Sequence, residues 1–184
     1  GTLSICQGTS TILDAGPGYS TYLWNTGAVT QTLSATVTGP YTVTVTNASG
    51  CSAATSVAVV VNPLPVPVIT GTTAFCTGNN SNLNAGPGYS SYLWNTGAAT
   101  QILNVTTAGP YVVTVTNASG CSASTSTVVT VNPLPAPNIT GTFAFCQGGN
   151  TIINAGAGYA GYLWNTGAVT QMFTATAGAT YTVT

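Results

Sequence analysis

Apolar and polar residues alternate strictly along several short segments of this chain. In residues 41–46, Tyr41, Val43 and Val45 fall on one face and threonines on the other, which is typical of a half-buried β-strand. The same alternation recurs at Val57, Val59 and Val61, at Leu33 and Ala35, at Leu103 and Val105, and at Phe173 and Ala175. Gly-Pro-Gly, Asn-Thr-Gly and Asn-Ala-Ser-Gly turns separate the strands, and no segment has helical periodicity. About seven short strands per repeat predict an all-β sandwich.

The whole pattern repeats every 70 residues. Cys6, Cys76 and Cys146 keep this spacing (76 − 6 and 146 − 76), and the three tryptophans keep the same interval. Around each tryptophan the copies nearly coincide, as AGPGYSTYLWNTGAVTQ, AGPGYSSYLWNTGAATQ and AGAGYAGYLWNTGAVTQ. A unit of this length can hold its own core, so we expect tandem sandwiches arranged as beads on a string.

The repeats divide the chain into three predicted domains. Residues 1–61 form a first repeat without its lead-in strand, residues 62–131 a complete second repeat, and residues 132–184 a third that is truncated at its C-terminal side. We therefore expect a window on a longer protein. The linkers VNPLPVPVIT and VNPLPAPNIT precede the second and third repeats. Their prolines favour extended polyproline II and predict semi-rigid spacers, with a PxxP ligand as the competing interpretation.

The five cysteines predict a disulfide framework. Cys6 and Cys51 are 45 residues apart, as are Cys76 and Cys121 (51 − 6 and 121 − 76), whereas the partner of Cys146 would lie beyond the chain end. We expect the disulfides Cys6–Cys51 and Cys76–Cys121, each closing one repeat. Disulfides imply an oxidising compartment and hence secretion. Metal binding is the weaker interpretation, because there is no CxxC motif and no histidine.

The second repeat resembles a known class of domain. Its sequence FCTGNNSNLNAGPGYSSYLWNTGAATQILNVTTAGPYVVTVTNASGCSAS, followed by VNPLPAP, is similar to the immunoglobulin-like and PKD-like repeats of large bacterial surface and secreted proteins. The resemblance implies a spacer, stalk or adhesion role without enzymatic activity. One departure concerns the turn that is acidic in PKD repeats, because here it reads Trp94-Asn95-Thr96-Gly97.

Two interpretations compete for the aromatic strand of each repeat. If its tryptophan faces the core, it packs as in immunoglobulin domains, and this choice buries more apolar area. The expected core then includes Trp24, Trp94, Trp164, Tyr41, Tyr111 and Tyr181. If its leucine faces the core instead, each repeat presents a platform that could stack on sugar rings. Those platforms would consist of Tyr22 with Trp24, Tyr92 with Trp94, and Tyr162 with Trp164.

The composition excludes several partners. The 184 residues include no Lys, Arg or His, and Asp14 is the single acidic residue. Binding to nucleic acid or to anionic lipid requires cations that this chain lacks. No run approaches the roughly 18 apolar residues of a membrane span, so we expect no membrane insertion. Net charge near zero removes self-repulsion and favours self-association with neighbouring repeats or into a fibre.

The same inventory argues against catalysis and cofactors. General acid–base and nucleophilic chemistry need groups that one lone carboxylate cannot supply, and the positions matching Asp14 are Asn84 and Asn154. Tight calcium binding wants several carboxylates, so we expect no metal and no cofactor. Sequons for N-glycosylation occur at Asn47, Asn79, Asn104, Asn117 and Asn138, and chance accounts for most of them in so Asn-rich and Ser/Thr-rich a chain.

Together these observations predict a non-enzymatic, extracellular segment at a bacterial cell surface. The expected role is that of a structural repeat in a filament or adhesin stalk. The alternative is a carbohydrate-binding array that uses the Tyr/Trp platforms on surface glycans.

Overall fold

The computed structural model describes residues 2–184, among which strands and turns occur and no helix does. The predicted all-β class is therefore confirmed. The chain divides into two compact units, one ending at Val131 and the other comprising Asn132–Thr184. The first unit contains the first two sequence repeats, and the second unit contains the third.

The first repeat forms two sheets. Its strands are β1 (Thr2–Cys6), β2 (Thr11–Asp14), β3 (Thr21–Trp24), β4 (Thr32–Ala35), β5 (Gly39–Thr46) and β6 (Ser52–Asn62). One sheet has the order β1-β6-β5-β3, and β2 pairs with β4 in the other. These pairs are antiparallel except for β1 and β6, which run parallel with Cys6 opposite Asn62.

The second repeat has the same arrangement. Its strands are β7 (Ala74–Cys76), β8 (Ser81–Asn84), β9 (Ser91–Trp94), β10 (Ile102–Val105), β11 (Gly109–Thr116) and β12 (Ser122–Asn132). The sheets have the orders β7-β12-β11-β9 and β10-β8, and a bridge between Thr70 and Asn84 adds a seventh extended segment to the smaller sheet.

The third repeat keeps part of this arrangement. Its strands are β13 (Thr140–Gly141), β14 (Thr151–Asn154) and β15 (Met172–Ala175), which form one sheet in that order. A bridge between Trp164 and Val183 stands where β9 and β11 pair in the second repeat.

Alternation along the strands creates the cores. In β11, Tyr111, Val113 and Val115 are buried, and they pack with Trp94 of β9 and Leu83 of β8. Residues from both sheets therefore share one core, as a sandwich requires. A buried tryptophan removes on the order of 200 Å² from water, which stabilises the fold by about 5 kcal/mol. Equivalent clusters form around Trp24 and Trp164.

Gly71 lies where the lead-in segment crosses the smaller sheet of the second repeat. Its φ is +133°, and a Cβ there would overlap the carbonyl oxygen of Asn82. Gly141 repeats this geometry with φ of +138°, and its Cβ would lie 2.6 Å from the carbonyl oxygen of Ile152. Glycine is required at both places because the two backbones approach so closely.

Replacing Gly71 by alanine should lower the free energy of unfolding by about 3 kcal/mol, because the new Cβ would occupy the place of a backbone oxygen. Gly97→Ala is a matched control, since φ there is +88° but nothing lies within 4 Å of the added Cβ. That control should lose only about 1–2 kcal/mol to backbone strain. Denaturant unfolding followed by tryptophan fluorescence measures both variants, and equal losses would contradict the close approach.

Candidate functional site

The hairpin that joins the last two strands of a repeat has one conformation in both copies. The side-chain Oδ1 of Asn47 accepts hydrogen bonds from the backbone N–H groups of Ser49 and Cys51, each at 3.0 Å. Asn117 Oδ1 accepts the equivalent two bonds at 3.0 Å, one of them from Cys121. Each asparagine therefore serves as a turn residue that fixes the position of the hairpin cysteine.

The first cysteine of each repeat lies outside the hairpin, and a backbone turn follows it. Cys6 ends β1, and its carbonyl oxygen accepts a hydrogen bond from the backbone N–H of Thr9 at 3.0 Å. Corresponding turns follow Cys76, with a 3.0 Å bond from Asn79, and Cys146, with a 2.9 Å bond from Gly149.

The structure corrects the predicted disulfides. Cys6 is bonded to Cys121 with a Cα–Cα distance of 5.5 Å and a sequence separation of 115, while Cys51, Cys76 and Cys146 are exposed free thiols. The bridge therefore links the first repeat to the second. The predicted pairs Cys6–Cys51 and Cys76–Cys121 are not formed.

Strand direction explains this correction. Cys6 lies opposite Asn62 at the end of β6, whereas Cys51 immediately precedes the first residue of that strand. The eleven residues of β6, at about 3.3 Å each, place the two cysteines about 36 Å apart. A disulfide needs Cα atoms within about 7 Å, so closure inside one sandwich is impossible.

The same reasoning applies to the second predicted pair. The carbonyl oxygen of Thr73, just before β7, accepts a 2.8 Å hydrogen bond from Thr130 near the far end of β12. Cys121 precedes the beginning of β12. Cys76 and Cys121 therefore lie toward opposite ends of their sandwich.

The proline linker between the first two repeats is bound along the second sandwich. The carbonyl oxygen of Pro63 accepts a 3.0 Å bond from Asn117 Nδ2, and that of Val66 accepts a 3.1 Å bond from the Tyr89 hydroxyl. Thr70 then exchanges backbone hydrogen bonds of 2.9 and 2.8 Å with Asn84. The linker is therefore held at three points along the second sandwich.

The third repeat binds its own linker in the same way. The Tyr159 hydroxyl donates a 3.0 Å bond to the carbonyl oxygen of Ala136. Pro135 and Pro137 line a small pocket together with Tyr159 and Tyr162. A pair of tyrosines that contacts a proline segment therefore occurs in both the second and the third repeat. In the sequence, these tyrosines stand out only as part of a Gly-rich turn.

The tryptophans lie in the cores. Trp24, Trp94 and Trp164 are 4, 1 and 1% exposed, and each indole Nε1 donates a 2.8 Å bond to the carbonyl oxygen of the threonine six positions on. The neighbouring leucines are exposed instead, at 54, 57 and 55% for Leu23, Leu93 and Leu163. No exposed indole face remains for the sugar-stacking platforms.

The tyrosines of those proposed platforms are also engaged. Tyr22, Tyr92 and Tyr162 are half-buried, and their hydroxyls donate bonds of 2.9, 2.9 and 2.8 Å to the carbonyl oxygens of Gly16, Gly86 and Gly156. The predicted Tyr/Trp platforms therefore do not exist as open surfaces.

The last aromatic residue of the predicted core is a tyrosine in each repeat. Its hydroxyl group donates a hydrogen bond to the backbone carbonyl oxygen of the residue four positions earlier. Tyr41 and Tyr111 are buried at the start of β5 and β11, and their hydroxyls donate 3.0 Å bonds to the carbonyl oxygens of Val37 and Thr107. Tyr181 is only half-buried and makes the same bond to Ala177 at 2.9 Å. This is the tyrosine corner of immunoglobulin-type sandwiches. The fold is immunoglobulin-like.

Comparison with known proteins gives distant matches to immunoglobulin structures. Murine CEACAM1b matches with a TM-score of 0.35 and 13% identity, over 70% of this chain and 95% of that chain. The N-terminal four Ig domains of Dscam1 isoform 1.9 match with a TM-score of 0.31 and 15% identity, over 71% of this chain and 43% of that chain. Titin domains z1z2 in complex with telethonin match with a TM-score of 0.30 and 15% identity, over 73% of this chain and 93% of that chain.

This chain thus spans less than half of the Dscam1 structure that it matches. No protein-family model and no curated protein matches the chain. The immunoglobulin-like assignment rests on the sheet order, the buried tryptophans and the tyrosine corners.

Asp14 has a structural role that an amide fulfils equally well. Its Oδ1 accepts 2.9 Å bonds from Gln31 Nε2 and from the backbone N–H of Gly16. The bond from Gln31, and after it the bond from Gly16, lowers the pKa of this carboxyl group below its usual value. Asn84 and Asn154 accept the equivalent pairs of bonds at 2.9–3.0 Å. The carboxylate is therefore a turn acceptor.

No group of three or more His, Cys, Asp or Glu side chains that could hold a metal ion occurs in residues 2–184. Within the same range, no helix has the length and apolar character needed to cross a membrane.

Proposed function

We propose that this chain is a non-catalytic structural segment of an extracellular filament or adhesin stalk at a bacterial cell surface. The observation that carries the proposal is the disulfide between Cys6 and Cys121, which joins two consecutive sandwiches covalently. Such a bond requires an oxidising compartment, which favours a location outside the cytoplasm.

The bridge also changes the path along which the chain bears load. A pulling force that enters at the N-terminal side passes through β1 to Cys6, crosses the disulfide to Cys121, and continues into β12. The residues between the two cysteines, which include most of both sandwiches, lie outside that path. The loop is worth roughly 5 kcal/mol in the chain-entropy model. Rigidity under load is the property that a stalk needs.

Single-molecule stretching from the two ends tests this role. The oxidised chain should reach a contour length about 400 Å shorter than Cys6→Ser, because the separation of 115 residues at about 3.5 Å each stays closed. Cys76→Ser is the matched control, since it removes an exposed free thiol, and it should extend like the unchanged chain. Equal contour lengths for the oxidised chain and Cys6→Ser would refute the load path.

We also propose that the array associates laterally with further copies of itself. β3 and β9 are edge strands of their four-stranded sheets, and each presents an exposed leucine, Leu23 or Leu93. Natural edge strands are commonly protected by lysine and other charges, which this chain lacks. Neighbouring outer faces carry hydroxyl pairs such as Thr114 with Ser124 at 2.8 Å, which are neutral and do not repel another copy.

Light scattering at increasing concentration tests the lateral association. The average mass should rise with concentration, and Leu93→Lys should reduce that rise by placing a charge on the edge strand. Val128→Lys adds the same charge at an exposed site on β12, which lies inside the sheet order, and should reduce it less. A chain that stays strictly monomeric at high concentration would contradict the proposal.

A further inference from the structure

Two connections join the first sandwich to the second, and they lie side by side. One is the disulfide between Cys6 and Cys121. The other is the backbone of the linker, which leaves β6 at Asn62 and continues into Pro63. Cys6 pairs with Asn62 in the parallel ladder, and the backbone N–H of Gln7 donates a 2.8 Å hydrogen bond to the Asn62 carbonyl oxygen. The sulfur of the first sandwich is therefore attached to the strand end from which the linker starts.

Asn117 connects the same two routes on the second sandwich. Its Oδ1 accepts a 3.0 Å bond from the backbone N–H of Cys121, and its own backbone N–H donates a 2.9 Å bond to the Cys121 carbonyl oxygen. Its Nδ2 donates a 3.0 Å bond to the carbonyl oxygen of Pro63. Cys6, Cys121, Asn117 and residues 62–63 therefore form a closed ring of contacts, which we call the junction ring.

The junction ring couples the disulfide to the binding of the linker. If the linker leaves the second sandwich, Asn62 moves away from the hairpin and carries Cys6 with it. If the disulfide is broken, only hydrogen bonds and side-chain packing hold residues 63–70 in place. Each connection thus raises the effective concentration of the other, and by linkage the two effects are equal in size.

We propose that the junction is a redox-controlled hinge. In the oxidised chain the linker stays bound along the second sandwich, and in the reduced chain it detaches and rebinds, which frees the two sandwiches to reorient. Asn117 and Tyr89 are the positioning residues of this hinge, because they hold the linker by the carbonyl groups of Pro63 and Val66. The hinge goes beyond the role of a structural segment, since the redox conditions select its state.

Exposure decides which sulfur a reductant attacks. Cys121 is 1% exposed, whereas Cys6 is half-buried. One thiolate of a small dithiol such as dithiothreitol attacks the Cys6 sulfur, the S–S bond breaks, and Cys121 leaves as the thiolate with the electron pair. The second thiolate of the reductant then attacks the reductant sulfur bonded to Cys6, and Cys6 leaves as a thiolate. The dithiol becomes a cyclic disulfide, and its two protons and two electrons end on the two cysteines.

Amide hydrogen exchange in the oxidised and the reduced chain tests the hinge. The backbone N–H of Thr70 donates a 2.9 Å bond to the carbonyl oxygen of Asn84, where the linker meets the smaller sheet. Exchange at Thr70 should be about fivefold faster after reduction, because the linker opens more often. Val113, which is buried at the centre of the same sandwich, is the control for that sandwich, and Thr140, which pairs with Asn154 in the third repeat, is the control for the reductant.

Exchange at the two control amides should change by less than about twofold. An unchanged rate at Thr70 would overturn the hinge. An equal acceleration at Val113 would overturn it as well, because reduction would then loosen the whole second sandwich. Equal acceleration at Thr140 would assign the effect to the reductant instead of the junction.

The reciprocal measurement is the equilibrium of the disulfide with glutathione. Cys51, Cys76 and Cys146 are exposed free thiols, so they are alkylated first and only the Cys6–Cys121 pair exchanges. The ratio of reduced to oxidised glutathione at which half of the bridge is reduced gives the effective concentration of the two thiols.

Tyr89→Phe keeps the aromatic ring and removes only the hydroxyl that binds Val66. This variant should lower the effective concentration about fivefold, which is the equilibrium effect of one net hydrogen bond. Tyr159→Phe is the matched control, because it removes the equivalent bond to Ala136 on the other linker, and it should leave the bridge unchanged. An unchanged value in Tyr89→Phe, or an equal loss in both variants, would overturn the coupling.

These results are separate from the load-bearing role proposed above. If neither exchange nor the glutathione equilibrium shows coupling, the covalent path through Cys6 and Cys121 still carries force. Absence of the bridge itself would remove both the hinge and the load path, and it would be seen directly as alkylation of all five cysteines in the oxidised chain.

Discussion

β6 carries the chain out of the first sandwich, and β1 runs beside it in the same direction, so that Cys6 ends opposite Asn62. The parallel pairing therefore sends the first cysteine of the repeat to the end at which the chain leaves. The hairpin with Cys121 lies at the end of the second sandwich that the linker enters, where Asn117 binds Pro63. Two thiols from different repeats thus meet at one junction. An antiparallel β1 would have turned Cys6 away from it.

Neutral side chains provide the turn acceptors and the surface side-chain pairs of this chain, roles that charged side chains often fill in other proteins. The turn acceptor is a carboxylate at Asp14 and an amide at Asn84 and Asn154, with the same two donors in each repeat. Hydroxyl pairs such as Thr116 with Ser122, at 2.9 Å, lie across the outer face of the hairpin. Specific contacts in this chain therefore come from geometry and hydrogen bonding, which salt does not screen.

Much of the fold follows from local sequence pattern. The alternation in residues 41–46 predicts that Tyr41 and Val43 face the core, and both are buried in β5. The Asn-Ala-Ser-Gly turn predicts the hairpin at Asn47, because its side chain and the following glycine suit that conformation. Both features depend on residues that are close in sequence, so the sequence of a single repeat is enough to predict them.

The junction depends on information that one sequence pattern lacks. With a period of 70 residues, a spacing of 45 inside a repeat implies a spacing of 115 to the next hairpin cysteine, so both pairings fit the same sequence. Only the direction of β1 distinguishes them, and alternation is identical for parallel and antiparallel strands. The hydrogen bond between Tyr89 and Val66 likewise cannot be predicted from local pattern, because it joins a turn to a linker 23 residues away.

Disulfide mapping under non-reducing conditions tests the central claim most directly. Because the chain has no Lys or Arg, a protease that cleaves after aromatic residues and leucine is required. After the free thiols are alkylated, mass spectrometry should find the Cys6 peptide joined to the Cys121 peptide, with Cys51, Cys76 and Cys146 alkylated. A peptide joining Cys6 to Cys51, or Cys76 to Cys121, would contradict the junction.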